Sequence, residues 1–252
     1  MPASLWTACD GPRSVKPLSF DPWRVVESQH AISTRKLVDS LDEQALIEEI
    51  LDGAKPRPVP PDLAHLHYLL YTPFRYPPLP NGSRFGTRRE RGIWYGALEV
   101  RTALAEAAYY RLLFLEGTKA DLAPLLQPVT AFRAAVRAAR AVDLMRAPFL
   151  AHRGRISSPT SYRTSQALGA DMRAGNVQAI LFASARDRER GRNAALFAPA
   201  FRKRAPTRSE PWHSVAEPGR VEFRHAVARD AMSFSRAEFL VAGRLPVPGL
   251  GR

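Results

Sequence analysis

The sequence predicts an α+β fold, and three observations carry that reading. Leu104, Ala108, Leu112 and Leu115 recur at helical spacing. Val221, Phe223, His225 and Val227 alternate with Glu222, Arg224 and Ala226, the period of a half-buried strand. Strand and helix patterns follow one another irregularly with no internal repeat, which argues against a regular βαβ series.

Taken in order, the first element is a helix over residues 41–51, with Ser40 as N-cap, Glu43 completing a capping box, and Leu46, Ile47, Ile50 and Leu51 on one face. Gly53 stops it, and residues 55–61, KPRPVPP, form a stiff connector whose four prolines can neither continue a helix nor occupy a central strand. We therefore divide the chain into an N-terminal extension, residues 1–62, that packs on a main domain, residues 63–252. Within that domain a Gly-rich turn over residues 82–86 leads to a short strand over 93–95, and a helix over 102–116 follows with Gly117 as its cap. Glu106 lies off the apolar stripe of that helix; read locally it is a solvated glutamate favoured by the helix dipole. A helix over 162–173 ends at Gly175, and a buried strand over 177–182 runs into Ser184-Ala185-Arg186. Residues 132–145 read both ways, since their alanines favour helix while Phe132, Ala134 and Val136 suit a strand.

Composition narrows the function classes. At 252 residues and 45% hydrophobic content the chain has ample material for a core, and its one cysteine, Cys9, excludes an internal disulfide and fits a cytoplasmic location. No apolar run approaches the roughly 20 residues that span a bilayer. The net charge of +13 is uneven: residues 1–126 carry 15 basic and 15 acidic side chains, residues 127–252 carry 22 and 9. Of the 37 basic residues 32 are arginines, whose guanidinium forks suit phosphate and carboxylate groups. The densest basic runs, residues 186–192 and 201–204, lack interleaved aromatics beyond Phe201, so direct nucleic-acid binding is disfavoured, although a basic nucleic-acid-binding protein is the main rival reading from another class. A third reading is an inactive scaffold that keeps a pocket without chemistry.

Common devices are missing: the sequence holds no Walker loop, no G-x-G-x-x-G fingerprint, no H-E-x-x-H helix and no nucleophile elbow. His65 and His67, two apart with no cysteine nearby, read as structural, and no metal or cofactor is called for. What remains is a dispersed set of Arg, Tyr, Glu and Ser. The stretch GSRFGTRRERGIWYGALEVRTALAEAAYYR, followed by LFASARDRERGRNAALF, resembles the RES-domain family, the toxin half of RES/Xre toxin-antitoxin pairs. Arg84, Glu106 and Ser184 occupy the eponymous positions; Tyr95 stands eleven residues from both Arg84 and Glu106, and Asn193 lies beyond Ser184. The likeness runs over residues 71–227, with Phe74-Arg75-Tyr76 similar to the family's opening strand, which brings a second arginine to the pocket.

The resemblance implies a fold like that of ADP-ribosyltransferases, with a mixed sheet and flanking helices, and an enzyme that degrades NAD, most simply an NAD phosphorylase. The alternatives it leaves open are NAD hydrolysis and transfer of ADP-ribose to a protein. NAD and inorganic phosphate are then substrates, an Xre-type antitoxin is the expected partner, and homo-oligomerisation is compatible with it. On this reading Glu106 stabilises positive charge on the ribose, Arg84 with Arg75 holds the diphosphate, and Tyr95 stacks on nicotinamide. Ser184 bonds to the ribose or the nicotinamide arm, and Asn193 supports the pocket. Arg186 either guides phosphate or spends its charge in a surface pair with Asp187 or Glu189.

Overall fold

The computed structural model describes residues 3–28, 59–76, 78, 80–120 and 122–250. The helix expected over 41–51 and most of the proline-rich connector lie outside them. The order of elements is α1 (Leu5–Ala8), β1 (Lys16–Phe20), β2 (Trp23–Glu27), α2 (Tyr68–Arg75), β3 (Trp94–Ala97) and α3 (Val100–Gly117). There follow β4 (Leu125–Arg133), β5 (Val136–Asp143), α4 (Arg153–Ile156), α5 (Arg163–Ala174), β6 (Ala179–Ala183), β7 (Arg192–Leu196), β8 (Arg208–Glu217), β9 (Arg220–His225) and β10 (Ala231–Ser235). The strands form one 10-stranded sheet in the order β1-β5-β6-β7-β3-β2-β4-β8-β9-β10. Among the described residues only β5 and β6 pair in parallel, so the α+β expectation of a mixed sheet holds.

Two strands, β1 and β2, come from the stretch that the sequence reading assigns to an extension. β2 lies inside the sheet, antiparallel to β3 on one side and to β4 on the other, with Trp23 opposite both Ala97 and Arg133. The segment that reads ambiguously resolves as β4 and β5. Its alanines Ala131, Ala134, Ala135, Ala138 and Ala141 are buried while Ala139 is exposed, and the small buried side chains let other groups pack close to the sheet instead of building a helix.

Alternation along β3 sorts the helices into layers. Trp94 points to the face covered by α2, where Leu70 and Phe74 pack with Phe132 and Leu196. Tyr95 and Ala97 point to the other face. There α5 sets Leu168 and Met172 on Ile180 and Phe182, and α3 sets Leu104, Ala108 and Leu112 on Val129, Ala131, Trp212 and Phe223. The predicted stripe of α3 is thus its buried face, with Leu115 at its margin; Gly117 is the last helical residue and Thr118 the cap. Burying such a leucine is worth about 1.5–3 kcal/mol, enough to hold a helix whose N-cap Glu99 makes no side-chain capping bond.

Phe74-Arg75-Tyr76 is not an opening strand. His67 caps a helix there, its Nδ1 accepting from the Leu69 N–H at 3.3 Å, and Leu70 and Phe74, four apart, share the buried face. Pro73 costs that helix one backbone bond but falls just before its end, where the loss is small. Among the described residues no helix is long and apolar enough to cross a membrane.

Candidate active site

On the face shared by α3 and α5 a pocket of about 460 Å³ opens over β3, within the usual size range for small-molecule sites. Its charged lining residues are Arg24, Arg84, Glu106 and Arg186, three cations to one anion, and its aromatic walls include Trp23, Tyr95, Tyr110 and Tyr162.

Glu106 projects from the second turn of α3, so it is not a solvated first-turn residue. Ser184 Oγ donates to its Oε1 at 2.7 Å, and Asn193 Nδ2 donates to the same oxygen at 2.6 Å. Both bonds fall on one oxygen of a carboxylate whose residue lines the pocket, so Oε1 is anchored from two directions. Ser184 follows β6 directly. Its buried hydroxyl also accepts from the N–H groups of Arg186 at 3.1 Å and Asp187 at 2.9 Å. One donor and two lone pairs are then all in use, and Ser184 is not among the pocket-lining residues. Asn193 sits in β7, whose backbone is paired on both sides, with β3 and with β6.

Arg84 stands in the turn over residues 82–86. Gly82 there has φ +68°, and a Cβ would lie 2.3 Å from the Gly86 carbonyl oxygen, so the turn requires glycine. Gln166 of α5 pins the turn by donating to the Ser83 carbonyl at 3.0 Å. The Arg84 guanidinium, buried, donates to the carbonyls of Ser158 at 2.8 Å and Ile156 at 3.4 Å and lies 5.0 Å from the ring centre of Tyr162. Arg186 is equally buried: it lies 3.7 Å from the ring centre of Tyr109 and donates to the Pro159 carbonyl at 3.1 Å. The expected surface pairs of Arg186 with Asp187 or Glu189 are not formed, because Arg101 of α3 takes both carboxylates. Two guanidinium groups are therefore held by one stretch, residues 156–159, through carbonyls that do not neutralise them. Uncompensated buried cations are costly unless an anion visits.

Tyr95 forms part of the pocket floor. Its hydroxyl pairs with Ser83 Oγ at 2.9 Å and accepts from the Phe85 N–H at 3.1 Å, and Phe182 meets its ring edge-on at 6.5 Å. Burial outweighs those bonds and pushes its phenol up to about 12, so the ring is neutral.

Of the residues singled out from sequence, Arg84, Tyr95, Glu106 and Asn193 line one pocket and Ser184 bonds to it from behind. Arg75 does not join them: it ends α2, its guanidinium 5.9 Å from the ring centre of Tyr76, and it is not a pocket-lining residue. A further cation among the pocket-lining residues is Arg24, which sequence reasoning missed. It donates to the Tyr95 carbonyl at 2.9 Å and lies over Trp94 at 5.6 Å, and burial lowers it to about 10. The alternation of Trp23 and Val25 with Arg24 and Val26 was the available signal for a strand there. Among the described residues no group of three or more His, Cys, Asp or Glu side chains is placed to hold a metal ion.

A family model described as the RES domain matches residues 59–214, more than half of the chain, a span that holds Arg84, Tyr95, Glu106, Ser184 and Asn193 but not Arg24. Among solved structures the chain is similar to one described as the crystal structure of the M. tuberculosis MbcT-MbcA toxin-antitoxin complex. The identity is 12% and the TM-score 0.48, over 84% of this chain and 91% of that one. No curated protein matches.

Proposed function

Because the chain belongs to the RES-domain family, we propose that the pocket binds NAD and that the protein cleaves the nicotinamide–ribose bond, with inorganic phosphate as acceptor. The products are nicotinamide and ADP-ribose 1-phosphate. The observation that carries this reading is the Glu106 carboxylate, one oxygen anchored by Ser184 and Asn193, in a pocket that Arg84 and Arg186 also line.

Nicotinamide leaves as a neutral molecule from a cationic pyridinium, so no strong general acid is needed. As the bond lengthens the ribose gains oxocarbenium character, and the free Oε2 of Glu106 stabilises that charge from a carboxylate that need not reorient. Arg84 and Arg186 hold anionic groups, the diphosphate of NAD and the incoming phosphate, through charge-assisted bonds. Tyr95, pinned by its hydroxyl, supplies a fixed ring face for nicotinamide. Ser184 acts on Glu106 and not on the ribose, since its hydrogen-bonding capacity is spent.

The test is to incubate the purified protein with NAD, with and without phosphate, and analyse the products. Phosphate-stimulated release of nicotinamide with ADP-ribose 1-phosphate is expected. Release indifferent to phosphate assigns hydrolysis or transfer instead, and no release refutes the reading. We further propose that this activity makes the chain a toxin restrained by an Xre-type antitoxin, which presents an acidic or carboxyl-terminal segment to Arg84 and Arg186 and competes with NAD. A co-purified complex that degrades NAD at the free rate would exclude that form of control.

A further inference from the structure

Behind the pocket, the turn that carries Ser184 is tied to the helix that carries Glu106 by contacts that touch no part of the pocket. Asp187 is 5% exposed, and Thr102 of α3 is fully buried. Thr102 Oγ1 donates to Asp187 Oδ2 at 2.7 Å, the Glu189 N–H donates to Oδ1 at 3.1 Å, and Arg101 pairs with the same carboxylate. Burial by itself raises the Asp187 carboxyl, but the bonds from Thr102, Glu189 and Arg101 prevail and hold it below its ordinary value, so it is ionised. Room for this contact is made by Gly191, where a Cβ would stand 2.0 Å from Thr102 Oγ1 and 2.8 Å from Asp187 Oδ2.

The contacts close a ring. Thr102 and Glu106 are one helical turn apart on α3. Thr102 binds the Asp187 side chain, the Asp187 N–H binds Ser184 Oγ at 2.9 Å, and Ser184 Oγ binds Glu106 at 2.7 Å. Neither Thr102 nor Asp187 lines the pocket. We propose that Asp187 is a positioning residue, locked to Thr102, that sets the Ser184 hydroxyl and through it the carboxylate plane of Glu106. The proposal rests on the reading of Glu106 as the group that faces the ribose. A turn shifted by half an ångström would still fold, but it would turn Oε2 away from the reacting carbon, where small misplacements cost up to about a hundredfold in rate.

Thr102→Val keeps the shape of the side chain and deletes the donor; Asp187→Asn keeps the shape and deletes the charge. Each should lower kcat by about 10- to 100-fold while the KM for NAD stays within about twofold, because no group that touches NAD is altered. In a Ser184→Ala background, where the ring is already cut, Thr102→Val should lower kcat no further than about twofold. A purely structural role would lower kcat by the same factor in both backgrounds. That result, or a Thr102→Val enzyme with the parental kcat, would overturn the proposal. Should the parent protein not consume NAD, the functional reading fails separately. The ring is then judged by a crystal structure of Thr102→Val, in which an undisturbed bond between Ser184 and Glu106 would overturn it and a broken one would uphold it.

Discussion

Replacing Ser184 by alanine removes a hydroxyl that makes three hydrogen bonds at 4% exposure, and the structure allows the cost to be worked out. The bond to the Glu106 carboxylate is worth about 1.5–3 kcal/mol, and each stranded amide of Arg186 and Asp187 costs about 1–3 kcal/mol. Relaxation of the turn favours the low ends of these ranges, which gives about 3.5 kcal/mol. For a chain of this size each kcal/mol moves Tm by about 2–4 °C, so a fall of roughly 7–14 °C is expected in thermal unfolding followed by circular dichroism. Ser209→Ala, on an exposed position of β8, is the control and should move Tm by no more than about 2 °C. A Ser184→Ala protein as stable as that control would show that the three bonds are not made together, and the account of how Glu106 is held would fall.

Glu106→Gln should lower nicotinamide release by on the order of a hundredfold or more with little change in NAD affinity, since the charge acts mainly in the transition state; steady-state kinetics beside calorimetric titration checks this, and parental turnover would contradict it. Arg84→Ala should weaken NAD binding by about tenfold or more, read in the same titration, and NAD bound with parental affinity would remove Arg84 from the diphosphate. Tyr95 gives a pH signature: its phenol, raised to about 12, keeps a proton that the unfolded chain releases near pH 10. Its contribution is complete below about pH 10 and is lost as pH rises toward 12, by about 1–2 kcal/mol after allowance for solvent screening. Urea unfolding of the parent and of Tyr95→Phe across that range should show a decline in the parent that is shallower in the variant, and parallel curves would contradict the assignment.

How far the sequence could be read depended on whether the signal was local. α3 and β9 announce themselves because their buried faces are contiguous at helical and strand periods. Gly175 does cap α5, as its place after residues 162–173 suggests. β4 and β5 stay ambiguous in sequence because alanine, a strong helix former, is used for its small volume, a choice that only the packing of the sheet explains. The strand implied for Phe74-Arg75-Tyr76 rests on the family likeness alone, while the features that make this segment a helix, the His67 cap and the burial of Leu70 and Phe74, need the neighbouring layers. At the site, the order Arg84, Tyr95, Glu106, Ser184, Asn193 marks residues that do meet in space. Arg24 gave no such mark, since it reaches the pocket through a strand pairing that skips 70 residues and more. Nor does sequence order reveal that the Ser184 hydroxyl is fully engaged, because two of its three partners are backbone amides.

The place of β2 bears on when the pocket can be put together during synthesis. β2 leaves the ribosome before its partners β3 and β4, which follow only after residues 94–97 and 125–133 have been made. At about 5–20 residues per second that is a wait of several seconds to some twenty seconds. Until then Trp23 and Arg24 have no strand to pair with, and the carboxylate of Glu106 lacks Ser184 and Asn193, which come later still. A chain that has not yet reached Asn193 therefore carries no assembled site, and the pocket forms once its last members are made instead of growing with the length of the chain.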